Sequence, residues 1–240
     1  MRLFQVPIAH RGLHDQESPE NSLSAFQKAV NKGYNIETDV HLLKDGKLVC
    51  FHDFTLSRML NGRPGYIEDL RYEDIAGENF LLSNGEHIPL FDDLINLVDG
   101  RVEILCELKS TSFRKFRLEK AVYEAIKDKP WIKIQAFNPF TVLWFARHAP
   151  EICRGQLATR PPNRLLKPLF PYRFLRRSHP DFFAYDVRFL PCDAVTKACK
   201  DYNMKLLAWT VDSDEKVETA KKSNANNIIF EHIRPEKYPV

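Results

Sequence analysis

The run IAHRG, Ile8 to Gly12, ends a short apolar stretch that begins at Val6 with an imidazole and a guanidinium side by side. A second apolar stretch, 47–51, ends the same way, at His52 in CFHDF. Two imidazoles that titrate near neutrality can serve as general base and general acid. Arg11 adds a planar fork of donors that matches phosphate. Carboxylates recur in a related pattern. Residues two apart in a strand share a face, so IETDV sets Glu37 and Asp39 on one side and Ile36, Thr38 and Val40 on the other. CELKS does the same with Glu107 and Lys109. Each feature also has a plainer reading: Glu37 and Asp39 as half of a solvated edge, Glu107 as the ion-pair partner of Lys109, each histidine as structural. In a buried parallel strand, however, unpaired carboxylates are costly to desolvate, and something positive must sit beside them. Three at one mouth suit a hard divalent cation, Ca²⁺ or Mg²⁺.

Such residues can act together only if their strands end at one place. Strands are predicted at 6–9, 35–40, 47–51, 102–108, 132–136, 152–158, 182–186, 205–211 and 227–230. Helices are predicted at 21–32, 91–98, 114–127, 139–148, 192–202 and 213–222, the first opened by Asn21 as N-cap and closed by Gly33 as C-cap. Alternation through the whole length argues for a parallel sheet, and nearly eight units for a closed (β/α)₈ TIM barrel. In such a barrel the C-terminal strand ends share one face, where barrel enzymes place their active sites. The turn signal KDGK, Lys44 to Lys47, predicts a hairpin-like excursion over 35–51. Residues 54–88 then run polar and Gly-rich, so 1–240 reads as a single domain with a small insertion at about 54–88, after the second strand region.

Composition is that of an ordinary soluble protein: 240 residues, 44% apolar and 28% charged. No apolar run approaches the roughly 20 residues that span a bilayer, and the N-terminal apolar stretch is too short for a signal peptide. Five cysteines, odd in number and without C-x-x-C spacing, fit a reduced, cytoplasmic setting. The net charge of +3 is local in origin. Segment 160–179 holds six Arg or Lys and no acid, and without those six the remainder stands at −3. It follows the strand candidate at 152–158, so it is expected as an enlarged loop on the active-site face, and its four prolines argue against a long helix. One reading is a solvated basic loop. The other is a membrane-peripheral contact, because Leu165, Leu166, Leu169, Phe170, Tyr172, Phe174 and Leu175 interleave with the cations. No nucleic-acid-binding motif accompanies the charge, and no nucleic-acid partner is expected.

Taken in order, IAHRG, PENSLSAF, IETDVHLLKDGKLVCFHDFTLSR, CELK and AWTVD resemble the glycerophosphodiester phosphodiesterase family, from Ile8 to about Asp212. The resemblance implies a TIM barrel with a small insertion after the His-Asp motif. It also implies metal-dependent hydrolysis of small glycerophosphodiesters to glycerol 3-phosphate and an alcohol. His10 and His52 match the family's acid–base histidines, and Glu37, Asp39 and Glu107 its metal carboxylates. Arg11 matches a phosphate-binding arginine, and Lys109 a phosphate or transition-state contact. Glu20 and Asn21 match the Pro-Glu-Asn loop, in a supporting or a catalytic role. Trp209 matches the tryptophan of a Trp-Thr-Val motif, where it would wall the glycerol pocket or pack in the core. The family's last strand ends in Thr-Asp, whereas this chain has Phe230 and Glu231. His14, His41, His87, His148, His179 and His232 have no motif support and are set aside, although His41 shares strand parity with Asp39. Two rival functions remain: phospholipase action of the lysophospholipase D type on lipid substrates, and a non-catalytic phosphate- or lipid-binding barrel. The second has no use for an acid–base pair.

Overall fold

A computed structural model of the chain describes residues 2–111, 115–159, 172–233 and 235, with the backbone alone at 172 and 173. Its strands are β1 (Ile8–Ala9), β2 (Asn35–Leu42), β3 (Leu48–Cys50), β4 (Ile104–Leu108), β5 (Ile132–Ala136), β6 (Arg154–Ala158), β7 (Phe182–Asp186), β8 (Lys205–Val211) and β9 (Asn227–Phe230). All but β3 run parallel, and the sheet closes because β1 pairs with both β2 and β9. β3 lies antiparallel on the last residues of β2, with Val40 opposite Cys50, which is the hairpin that KDGK predicts. The helices are α1 (Leu23–Lys32), α2 (Tyr72–Ile75), α3 (Phe91–Val98), α4 (Arg117–Ile126), α5 (Pro139–His148), α6 (Tyr172–Ser178), α7 (Asp193–Asp201) and α8 (Asp214–Lys222). The result is the expected (β/α)₈ barrel.

Strand alternation divides the apolar residues into two populations. Ile36, Val40, Ile104, Cys106, Ile134 and Phe183 face outward and join Phe91, Val122 and Phe145 of the helices in one continuous core. Ile8, Leu105, Leu157, Phe182, Ala184, Leu207 and Ile229 fill the lower barrel interior. Room for the Phe182 ring exists because Gly155 on the neighbouring strand lacks a Cβ, which would overlap it. The N-terminal segment seals the bottom: Leu3 joins the inner cluster, and the amides of Asn35 and Asn227 donate to the Val6 carbonyl at 3.0 and 2.7 Å.

The 3-10 turns and α2 that follow β3 pack a small core of their own, with Val49, Leu56, Leu60, Ile67, Ile75 and Ile88 buried together. Two details depart from the sequence reading. Strand β1 begins at Ile8 rather than residue 6, since Pro7 has no N–H to give a ladder. Helix α1 is capped by Ser22, whose hydroxyl accepts from the Ala25 N–H at 3.1 Å, and not by Asn21. Asn21 instead adopts a left-handed φ of 57° and is buried, with its amide turned to Asp39. Gly33 closes α1 as expected, at φ 74°. Of the basic segment, 160–171 lies outside the described residues, while 172–178 forms α6, C-terminal to all four prolines, with Leu175 buried and Arg176 and Arg177 exposed. No helix among the described residues is long and apolar enough to cross a membrane.

Candidate active site

Glu37 and Asp39 on β2 and Glu107 on β4 meet at the C-terminal mouth, with Asp39 in register with Glu107. All three are buried and offer oxygens within 4.8 Å of one another. Three neighbours grip them. The Arg11 backbone N–H donates to Glu37 Oε2 at 3.1 Å, and the Asn21 amide to Asp39 Oδ2 at 3.0 Å. Lys109 Nζ lies 2.9 Å from Glu107 Oε1 and 3.2 Å from Asp39 Oδ1, and Arg11 Nε stands 3.3 Å from Asp39 Oδ2. Two cations thus face three carboxylates, and the imbalance shows in the proton affinities. Burial alone would raise Asp39, but Lys109 and Arg11 outweigh it and hold this carboxyl far below its usual range. Burial, together with Asp39 and Glu107, pushes Glu37 well up, and burial with Asp39 pushes Glu107 up to about 7. Burial opposes the Lys109 charge, yet Asp39 and Glu107 raise it above an ordinary lysine. An all-oxygen, electron-rich, undercharged cluster of this kind fits a hard divalent cation.

The histidines stand on either side. His10, the residue after β1, donates from Nδ1 to Glu231 Oε2 at 2.8 Å, which leaves its Nε2 4.0 Å from Glu37 Oε2. His52, two residues after β3, donates from Nδ1 to Asp53 Oδ1 at 2.5 Å. With Nδ1 committed to a carboxylate, Nε2 is the nitrogen left in each ring to take or give a proton. Burial lowers both imidazoles below their usual value, against the opposing pull of Glu231 on His10 and of Asp39 on His52. The hydrogen bond from His10, reinforced by nearby His14, holds Glu231 ionised.

A chain of ionic contacts crosses the mouth between them. Asp53 Oδ2 accepts from Arg58 Nε at 2.6 Å, Arg58 grips both oxygens of Glu20 at 2.7 and 2.8 Å, and Glu20 holds Arg11 at 2.8 Å. The Pro-Glu-Asn loop therefore positions its neighbours: Glu20 orients Arg11, and Asn21 braces Asp39 while accepting from the Thr38 hydroxyl at 2.8 Å. Trp209, near the end of β8, is half-buried over the inner core and meets Phe137 edge-on at 5.7 Å. Its indole Nε1 is buried without a hydrogen-bond partner.

All ten residues singled out from the sequence thus sit at or beside one mouth, and several that were set aside join them. Glu231, seen in the sequence only as a departure from a family pattern, is the partner of His10. It follows an apolar run, NIIF, just as His10 and His52 do, and that was the available signal. His14 and His232 stand 3.4 and 3.1 Å from Glu231 Oε1. His41 is buried behind His52, with Nε2 3.3 Å from its carbonyl and Nδ1 3.2 Å from Glu68. His148 stacks on Trp144 and bonds its carbonyl, remote from the mouth. His87 and His179 are exposed.

Fold and mouth define the class: a parallel (β/α)₈ barrel that gathers its ionisable groups at the C-terminal strand ends, the architecture of barrel enzymes. The model of the Glycerophosphoryl diester phosphodiesterase family matches residues 10–234. A glycerophosphodiester phosphodiesterase of Caldanaerobacter subterraneus subsp. tengcongensis is 31% identical over 238 residues, 92% of each chain. Among solved structures, a phosphodiesterase from Oleispira antarctica in complex with its product sn-glycerol-3-phosphate superimposes with a TM-score of 0.76 at 25% identity, covering 98% of this chain and 94% of the other. A glycerophosphodiester phosphodiesterase from Parabacteroides distasonis shares the fold at a TM-score of 0.75 and 24% identity, covering 94% and 92%. The chain belongs to the glycerophosphoryl diester phosphodiesterase family.

Proposed function

We propose that this single barrel domain, with 54–88 as its insertion, hydrolyses small glycerophosphodiesters to glycerol 3-phosphate and an alcohol, using a divalent cation held by Glu37, Asp39 and Glu107 and the imidazoles of His10 and His52. One observation carries the reading: two histidines, each with Nδ1 tied to a carboxylate and Nε2 free, stand beside a buried cluster of three carboxylates. A bound Ca²⁺ or Mg²⁺ would supply Lewis acidity towards a phosphoryl oxygen and a glycerol hydroxyl. Nε2 of one histidine takes the hydroxyl proton as oxygen attacks phosphorus, and the other histidine, which enters the step as imidazolium, delivers its Nε2 proton to the departing alcohol. The cyclic phosphate so formed is opened by water with the two roles exchanged. Glu231 and Asp53 hold each ring in its tautomer and favour the imidazolium that forms in turn. Arg11 and Lys109 offset charge on the equatorial oxygens, with Glu20 and Asn21 fixing Arg11 and Asp39. Trp209 and Phe137 present apolar surface to the glycerol carbons.

Cysteines that form no disulfide, all five of them, fit a reducing, cytoplasmic setting. Segment 160–179, which ends in exposed Arg176 and Arg177 on α6, is the candidate for peripheral contact with an anionic membrane. The test is a kcat/KM panel that spans soluble glycerophosphodiesters and lysophospholipids presented in anionic vesicles. The expected order places the soluble diesters first. Preference for the lysolipids would transfer the assignment to a lipid-directed enzyme, and turnover of neither would end the reading.

A further inference from the structure

The mouth contains a second group of donors, different in kind from the carboxylate cluster. One ring nitrogen each of His10 and His14 and a Glu231 oxygen all lie within 4.8 Å of one another, and His10 approaches Glu231 through Nδ1 and His14 through Nε2. His10 stands at the end of β1, His14 in the loop that follows, and Glu231 immediately after β9, so closure of the barrel assembles them from both ends of the chain. The proposed reaction uses His10 and Glu231 but has no task for His14. Its Nε2 is nevertheless buried, with Glu231 Oε1 3.4 Å away as an ion-pair neighbour rather than a full hydrogen-bond partner. His232 packs edge-on against His14 at 4.8 Å between ring centres and brings its own Nε2 to 3.1 Å from the same oxygen. Side-chain exposures of 15, 13 and 25% for His10, His14 and Glu231 leave the group reachable from solvent yet largely shielded.

We propose that His10, His14 and Glu231 form a second metal site, selective for a divalent transition-metal ion of the Zn²⁺ class, and that filling it switches off proton transfer at His10. Two imidazoles and one carboxylate are a donor set of zinc sites, with the fourth position left to water or to His232. Ca²⁺ and Mg²⁺ take oxygen ligands and remain with Glu37, Asp39 and Glu107. Tetrahedral bonds to zinc of about 2.0–2.2 Å set ligands roughly 3.3–3.6 Å apart, so His10 and Glu231 would open from 2.8 Å while His14 draws in by rotation of rim side chains. The consequence for His10 follows from its proton count. A neutral imidazole carries one N–H, now on Nδ1. When Nδ1 binds the ion, that proton moves to Nε2 and the hydrogen bond to Glu231 is replaced by a Glu231–metal bond. Both ring nitrogens are then occupied, so His10 has no lone pair to accept a proton and no imidazolium to donate one.

The switching-off rests on the acid–base role proposed for His10; the binding itself does not. Binding is therefore read first, by titrating Co²⁺ as a spectroscopic stand-in for Zn²⁺ into protein saturated with Mg²⁺. One equivalent should develop the intense visible bands of four-coordinate Co²⁺, and Zn²⁺ should bleach them. His14→Ala, with His14→Asn as a second variant should the first not fold, should weaken Co²⁺ at least about tenfold. Zn²⁺ inhibition of glycerophosphodiester turnover should weaken in parallel. Absence of the bands in Mg²⁺-saturated protein, or Co²⁺ affinity and Zn²⁺ inhibition unchanged in the folded His14 variant, would overturn the proposal. If no diester is turned over at all, the proposed function fails while the Co²⁺ titration still decides the site.

Discussion

At the residue scale the account turns on two imidazoles whose Nδ1 atoms are committed to carboxylates. His10→Ala and His52→Ala should each lower kcat by about 10²–10⁴-fold in well-folded protein, the usual share of a general acid or base. A loss under about threefold in either variant would remove that residue from the mechanism. The carboxylates yield a prediction with a definite sign. Glu37 and Glu107 bind protons more tightly in the metal-free fold than an ordinary carboxyl, Glu107 up to about 7 against 4.5. A cation must displace those protons, so its affinity should rise with pH up to at least about 7, where Glu107 gives up its proton in the metal-free fold. Calorimetry in two buffers of different ionisation enthalpy near pH 6.5 should show proton release on Mg²⁺ or Ca²⁺ binding. Uptake, or no proton change, would contradict the charge balance drawn for the cluster. These residues were legible in the sequence because each lies within or just beyond an apolar run. Glu231 obeys the same rule, but 221 residues separate it from His10, and only barrel closure makes them neighbours. His14 and His232 lie in loops with no periodicity to report where they point.

At the scale of elements, periodicity located the strands well and their ends less well. Pairing at β1 starts late because of Pro7, a local chemical fact. Asn21 looked like a helix cap because Asn often is one, and the tertiary demand of Asp39 took its amide for another purpose, leaving Ser22 to cap α1. The polar, Gly-rich stretch after β3 reads as loop in sequence, yet it buries a core of its own through apolar residues too widely spaced to form a pattern. Packing inside the barrel was likewise invisible, since nothing in RGQLA announces that Gly155 makes room for Phe182. Gly155→Ala should cost about 1–3 kcal/mol, the range for overpacking a filled core, read as a lower denaturation midpoint without change in slope. An unchanged midpoint would mean that the ring has somewhere else to go.

At the scale of the whole molecule, strand–helix alternation was enough to imply a closed barrel, and closure is what turns five scattered motifs into one mouth. The ionic chain from Asp53 through Arg58 and Glu20 to Arg11 then couples the segment after β3 to the first loop, so the two histidines are braced against each other across the opening. The central claim is that this mouth cleaves a phosphodiester only with a cation between its carboxylates, and ³¹P NMR observes that reaction without a coupling enzyme. In protein stripped by exhaustive chelation, the diester resonance of a soluble glycerophosphodiester should persist unchanged. Addition of Mg²⁺ or Ca²⁺ should convert it to the monoester resonance of glycerol 3-phosphate. Conversion at the full rate in the chelated protein would contradict the account.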